Sequence, residues 1–282
     1  MPENTQNPLA KHFRQPAIYT PIPSKGRFWP DGDIDIPVNG EIAVYPMTTK
    51  DELSLRTPDA LMNGAGMVEV IQSCCPSIKN AWNMPTIDVD AILISIRIAS
   101  YGHEMDVDAN CPECKEANRY SIDLRTVLAS IQPVDYDTPE EINGLKFFLK
   151  PQTFKNSNDI GNITFEEQKI MQTLSNENIA DEDKARIVAT QLKRMTNMTD
   201  DILTSGTRCI VTEEGIEVSN PEHMKEFYQN ADSKIVRILQ KRLEKIADES
   251  SIKPHQVKCT SCNHEFTMKI DFNFSSFFAV GF

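Results

Sequence analysis

The sequence has no run of eighteen apolar residues, the length a helix needs to cross the hydrocarbon of a bilayer. Its start, Met1-Pro-Glu-Asn-Thr-Gln-Asn, lacks both the basic and the apolar segment of a secretory signal. It lacks an excess of basic charge: 29 Lys and Arg stand against 41 Asp and Glu, a formal charge of −12. Phosphate backbones are held by a basic face, so this balance argues against a general nucleic-acid binder. Residue sets for catalysis are missing too. There is no Gly-x-Ser-x-Gly, no glycine-rich phosphate loop and no His-Glu-x-x-His, and His12, His223 and His255 have no matching partners. The expectation is a non-enzymatic chain that folds in a cytoplasm, where thiols stay reduced. Its seven cysteines are then better suited to metal ligation or to burial than to disulfides.

Four of those cysteines form a repeat. Cys111-Pro-Glu-Cys114 is followed by Ile122-Asp123-Leu124, and Cys259-Thr-Ser-Cys262 is followed at the same distance by Ile270-Asp271-Phe272. Each unit reads as strand, knuckle, strand. Two residues between cysteines let a tight turn aim both sulfurs at one point and direct its N–H groups at the thiolates. One knuckle supplies two ligands and a tetrahedral Zn²⁺ takes four, so two like knuckles related by an approximate two-fold make a zinc ribbon. Four thiolates leave no open position, which predicts a structural ion. An iron–sulfur cluster uses the same ligands and remains the alternative. A redox dithiol would want one pair opening a helix, and neither pair does. His264 could compete as a ligand, but four thiolates already complete the shell. The 144 residues from Lys115 to Lys258 lie between the knuckles, so a closed site pins both ends of a long insertion.

Elsewhere the pattern is mixed. Residues 1–33 are punctuated by Pro16, Pro21, Pro23 and Pro30 among Phe13, Tyr19, Phe28 and Trp29, which reads as an extended arm. Asn39-Gly40, between Ile34/Ile36 and Ile42/Val44/Tyr45, predicts a hairpin. Thr48 or Thr49 can cap a helix ending before Pro58, and residues 59–73 continue as helix with Leu61, Met62, Met67, Val68, Val70 and Ile71. Val89, Ile92, Leu93 and Ile96 place a helix at 86–101, capped by Thr86 or Asp88 and stopped by Gly102. Asp123 caps a short helix after the first knuckle. Leu145, Phe147 and Leu149 alternate as a strand. Residues 164–206 read as helical, through Ile170, Met171, Leu174, Ile187, Val188, Leu192, Met195, Ile202 and Leu203. Cys209–Val211 and Ile216–Val218 form a hairpin, and 221–248 reads as helical, with a basic run on a helix at 231–248. Cys74, Cys75 and Cys209 read as core thiols. Lys234, Arg237, Lys241, Arg242 and Lys245 read as a solvated face. The tail, Phe272, Phe274, Phe277, Phe278, Val280 and Phe282, either packs into the core or forms an interface.

Several blocks together resemble a known family. They are Pro-Ser-Lys-Gly-Arg-Phe (23–28), Ile96-Arg97 with Tyr101-Gly102, Cys-Pro-x-Cys (111–114), Ile-Asp-Leu (122–124), the closing Cys-x-x-Cys and the Phe-rich end. The chain resembles baseplate hub subunits of contractile-tailed bacteriophages of the T-even type, a family with a related hub-assembly protein. The resemblance covers both ends well and residues 155–255 weakly. It implies a structural component of the tail baseplate hub, present in several copies and contacting other hub and tail proteins. Such a protein is made in the host cytoplasm and ends in the virion tail baseplate. The alternatives are an assembly factor absent from the finished particle, a zinc-ribbon nucleic-acid or transcription accessory protein, and a redox enzyme using one cysteine pair.

The fold expected is α+β: small antiparallel β elements and a split Cys₄ zinc ribbon, with a mainly helical insertion between the knuckles. The arm is placed at 1–33, a hairpin plus helices at 34–102, the ribbon halves at 103–124 and 255–282, and the insertion at 125–254. Cys111, Cys114, Cys259 and Cys262 are the expected metal ligands.

Overall fold

A computed structural model describes residues 7–56, 64–174, 181–268 and 277–278. Pro58, Leu61, Met62, Ile270, Asp271 and the tail positions Phe272, Phe274, Val280 and Phe282 lie outside the described residues, as do the side chains of Met171, Leu174 and Leu192.

Strand β1 (Ile18–Pro21) pairs antiparallel with β2 (Glu41–Val44), Ile18 opposite Val44 and Pro21 opposite Glu41. This corrects the hairpin expected across Asn39-Gly40. Pro37 has no N–H to give to a ladder. Ile34 bridges Ile78 instead, and Gly40, at φ 75°, closes a turn onto the Pro37 carbonyl at 2.8 Å. Next comes a reciprocal cap. The Asp51 N–H donates to Thr48 Oγ1 (3.3 Å) and the Thr48 N–H donates to Asp51 Oδ2 (2.7 Å), which starts α1 (Thr49–Ser54). Helix α2 (Ala65–Cys74) buries Met67, Val70, Ile71 and Cys74.

Helix α3 (Thr86–Tyr101) has the predicted bounds and stops at Gly102, whose φ of 88° suits glycine alone. Its apolar side chains, Val89, Ile92, Leu93, Ile94 and Ile96, are all buried. Neither expected cap operates, because Pro85 occupies the cap position. Asp88 accepts from another part of the chain. The Ser24 N–H (2.7 Å), Ser24 Oγ (2.6 Å) and Trp29 Nε1 (2.8 Å) all donate to its carboxylate. The Pro-rich segment is thus seated on the start of α3, with Ile22 and Trp29 in the core. Arg27 pairs with Asp137, and Phe28 meets Tyr136 edge-on at 5.2 Å.

Strands β3 (Glu104–Asn110) and β4 (Ala117–Asp123) pair antiparallel around the first knuckle. Asp123 accepts the Arg125 N–H at 2.9 Å and starts α4 (Leu124–Ser130), as expected. In the insertion, β5 (Glu140–Ile142) and β6 (Leu145–Leu149) form a hairpin. Its two-residue turn, Asn143 and Gly144, has φ of 52° and 78°. Helix α5 (Phe154–Leu174) begins well before Thr164, in a run rich in Asn and Ser that local composition assigns to loop. Thr153 Oγ1 accepts the Asn156 N–H at 3.2 Å and opens it. Helix α6 (Asp181–Ser205) returns to β7 (Thr207–Val211) and β8 (Glu217–Val218), completing a four-stranded antiparallel sheet in the order β5-β6-β7-β8. The stretch expected to be helical over 221–248 is two helices, α7 (Pro221–Asn230) and α8 (Ser233–Ser250). Asp232 accepts the Lys234 N–H at 2.9 Å and begins a new helix there. Strands β9 (His255–Lys258) and β10 (Glu265–Met268) flank the second knuckle.

The fold is therefore α+β, with a mainly helical insertion between the two cysteine pairs. Two apolar clusters hold it. The first joins β2, α2 and α3 to Met105, Ile122 and Leu124 around the first knuckle and to Met268, Phe277 and Phe278 at the C-terminal end. Phe277 and Phe278 of the tail are buried, and Arg97 of α3 donates to the Phe277 carbonyl. The buried members of the second cluster come from the insertion alone: Phe147, Leu149, Leu203, Ile210, Met224, Tyr228 and Leu239 among them. The insertion thus has an apolar core of its own, and it also joins the rest directly, with Val127 and Phe154 in the first cluster and Phe28 and Ile87 packed on the second.

Candidate metal centre

Each knuckle is built by the same backbone contacts. The Cys111 N–H donates to the Glu116 carbonyl (3.0 Å) and the Lys115 N–H to the Cys111 carbonyl (3.0 Å). In the second unit the Cys259 N–H donates to His264 O (2.9 Å) and the Asn263 N–H to Cys259 O (3.0 Å). The residue after each closing cysteine is left-handed, Lys115 at φ 64° and Asn263 at φ 61°. The repeat seen in the sequence is thus a repeat of geometry.

The long gap is closed. Cys111 Sγ lies 3.7 Å from Cys262 Sγ, and Cys114 Sγ lies 3.6 Å from Cys259 Sγ. All four sulfurs fall within 4.8 Å of one another. None of the seven cysteines is in a disulfide. A tetrahedron with Zn–S bonds near 2.3 Å has S···S edges of about 3.8 Å, so the pair distances fit a single four-coordinate ion. The donor set fits as well, since each ligand is a thiol and no histidine joins the group. His264 stacks on Phe266 at 6.3 Å, with its carbonyl turned to Cys259.

Acidities follow from this crowding. The N–H groups of Cys262 and then Ser261 point at Cys259 and bring its thiol down to about 6. The Glu116 N–H acts in the same direction on Cys114, but desolvation and the hydrogen bonds shared with the other three thiols leave it at about 12. Four thiols this close cannot all ionise unless a cation is among them. By contrast, burial pushes Cys74 up to about 12 and raises Cys75 and Cys209. Cys74, Cys75 and Cys209 are buried, as expected of core thiols. In the basic run, Arg242 reaches Glu140 (3.9 Å) and Lys245 reaches Glu249 (3.8 Å), while Lys234, Arg237 and Lys241 are exposed.

Two residues beside the sulfurs escaped the sequence reading. Asn118 of β4 is buried and donates to Cys259 Sγ at 3.5 Å. The only signal for it was an Asn inside a strand, a residue type strands disfavour. The Tyr120 hydroxyl is buried with no hydrogen-bond partner, its ring edge-on to Phe266 at 6.2 Å. Burial first, and then the four neighbouring thiols, raise its pKa.

No helix among the described residues is long and apolar enough to cross a membrane. A family model described as T4 bacteriophage base plate protein matches residues 29–279. No curated protein and no solved structure matches the chain. The matched span runs from Trp29, seated on Asp88, through both knuckles and beyond Phe278, and on that extent the chain belongs to the T4 bacteriophage base plate protein family.

Proposed function

We propose that this baseplate protein is a structural component of the tail hub and that Cys111, Cys114, Cys259 and Cys262 hold one structural Zn²⁺. The observation that carries the reading is the convergence of four thiols from the two ends of the insertion. A closed tetrathiolate ion has no position for substrate, so what it supplies is shape. It ties the two ends of the insertion to each other, beside the contacts of Phe154, Asp137 and Tyr136 with the rest of the chain. A polynuclear iron–sulfur cluster interposes further atoms between its ligands and needs a wider cage, so a single ion suits these distances better.

The protein acts by contact with other hub and tail proteins, in several copies, after synthesis in the host cytoplasm. In the Pro-rich segment Ile22 and Trp29 are engaged within the chain, as are Phe277 and Phe278 of the tail. Large apolar side chains are exposed on the Pro-rich segment, at Leu9, Phe13 and Tyr19, and on the helical hairpin α5–α6, at Phe165, Val188 and Met195, and we assign both surfaces to partner contact. Quantitative mass spectrometry of purified virions tests the role, with zinc analysis of the same material. Stoichiometric presence with one zinc per chain is expected. Presence in assembly intermediates and absence from virions would replace this reading with that of an assembly factor.

A further inference from the structure

The two ribbon hairpins, β3–β4 and β9–β10, are separate two-stranded sheets with no backbone ladder between them among the described residues. Something else must hold the second knuckle in register with the first. Asn118 lies four residues beyond Cys114, with 5% of its surface exposed. A carboxamide has two donor and two acceptor positions, and here all four are used. Nδ2 donates to the Glu116 carbonyl (3.0 Å) and to Cys259 Sγ (3.5 Å). Oδ1 accepts from the Thr260 N–H (3.2 Å) and from Thr260 Oγ1. The Thr260 N–H can only donate, so it settles which way the amide faces: oxygen to Thr260, nitrogen to sulfur.

Glu116 belongs to the first knuckle, Cys259 and Thr260 to the second. One side chain thus joins two turns 141 residues apart in sequence. The repeat is asymmetric here. The position equivalent to Asn118, four residues beyond Cys262, is Phe266, which has no amide to offer and packs on Tyr120. The first half supplies the polar bridge and the second supplies an apolar cover.

We propose that Asn118 is the positioning residue of the centre: it docks the second knuckle on the first and donates to the Cys259 thiolate, so that the four sulfurs converge before an ion arrives. This rests on the reading of the four cysteines as a metal site. Its physical content has two parts. Docking in advance lowers the ordering cost of bringing two distant dithiols together, which raises affinity. An N–H donor to sulfur spreads the negative charge that four thiolates concentrate, which stabilises the bound form.

The test uses the full chain with Co²⁺ and Zn²⁺, each titrated against a chelator, in wild type, Asn118→Ala and Asn118→Asp. The Asp variant keeps the shape and the two acceptor contacts to Thr260, but turns an oxygen toward Cys259 in place of the N–H. Support for a partner residue outside the ligand shell typically amounts to about 10–100-fold in metal affinity. Both variants are expected to bind within that range more weakly, Asn118→Asp the weaker of the two. Their sulfur-to-cobalt absorption should move to lower energy, because the sulfur has lost its donor. If a variant is unfolded without metal, the metal concentration at the midpoint of refolding gives the same comparison. Wild-type binding with unchanged variants, in affinity and spectrum, would overturn the role of Asn118 alone. A wild type that takes up no tetrathiolate cobalt would overturn the metal reading and this inference with it.

Discussion

Replacing Asp88 with Asn tests how the Pro-rich segment is held. Asp88 has no exposed surface and accepts three hydrogen bonds, two from Ser24 and one from Trp29. Burial raises its pKa from 3.8 to about 6, in spite of those donors. A carboxyl with a raised folded pKa holds its proton more tightly folded than unfolded. Its stabilising contribution is full below the unfolded value and is lost as pH rises through the folded one. An Asn at this position does not titrate. Whichever way its amide faces, its NH₂ meets a donor, Ser24 N–H or Trp29 Nε1–H, at about 1–3 kcal/mol. That cost does not change with pH. The stability gap between wild type and Asp88→Asn should therefore move in favour of the variant, by on the order of 1 kcal/mol, between pH 5 and pH 7.5. Urea unfolding followed by tryptophan emission at both pH values measures it, provided the two chains share one denaturant slope. A gap that stays constant, or moves the other way, would show that Asp88 is not the buried carboxylate described.

Three further outcomes follow from the separation of the two cores and from the site between them. Cys259→Ser removes one of four ligands and should abolish tight zinc binding, lowering the melting temperature by on the order of 10 °C; an unchanged melting temperature with zinc retained would contradict the site. Phe147→Ala empties a fully buried position of the second core and should cost about 3–5 kcal/mol by calorimetry, with the zinc content unchanged; loss of zinc would mean that the insertion and the ribbon are not independent. Arg97→Met removes the donor to the Phe277 carbonyl and the guanidinium over the Tyr101 and Phe277 rings. Carboxypeptidase should then trim the C-terminal residues several-fold faster, and an unaltered rate would leave Arg97 without a part in holding that end.

Local elements were readable because they depend on near neighbours. The period of Val89, Ile92, Leu93 and Ile96, with Gly102 to stop it, marked α3 to its last residue. Asn143-Gly144 marked a turn, and the equal spacing of the two knuckles marked a repeat that the backbone contacts reproduce. The pairing of β2 was misread for the same reason. Asn39-Gly40 carries a local hairpin signal, but the partner strand comes from Ile18–Pro21, and the missing N–H of Pro37 outweighs the turn. The early start of α5 was lost because capping side chains act on positions where apolar periodicity shows nothing.

What the sequence determined by itself was the chemistry available: four thiols in two matched turns and a net acidic charge. Only the tertiary structure decided which groups meet. Sulfurs at 3.6 and 3.7 Å, Asn118 across the two knuckles, and Ser24 and Trp29 on Asp88 all join residues 59 or more apart. Contacts at that range are selected by which surfaces can be buried together and which buried polar atoms can be satisfied at once, and neither condition leaves a period or a spacing in the chain.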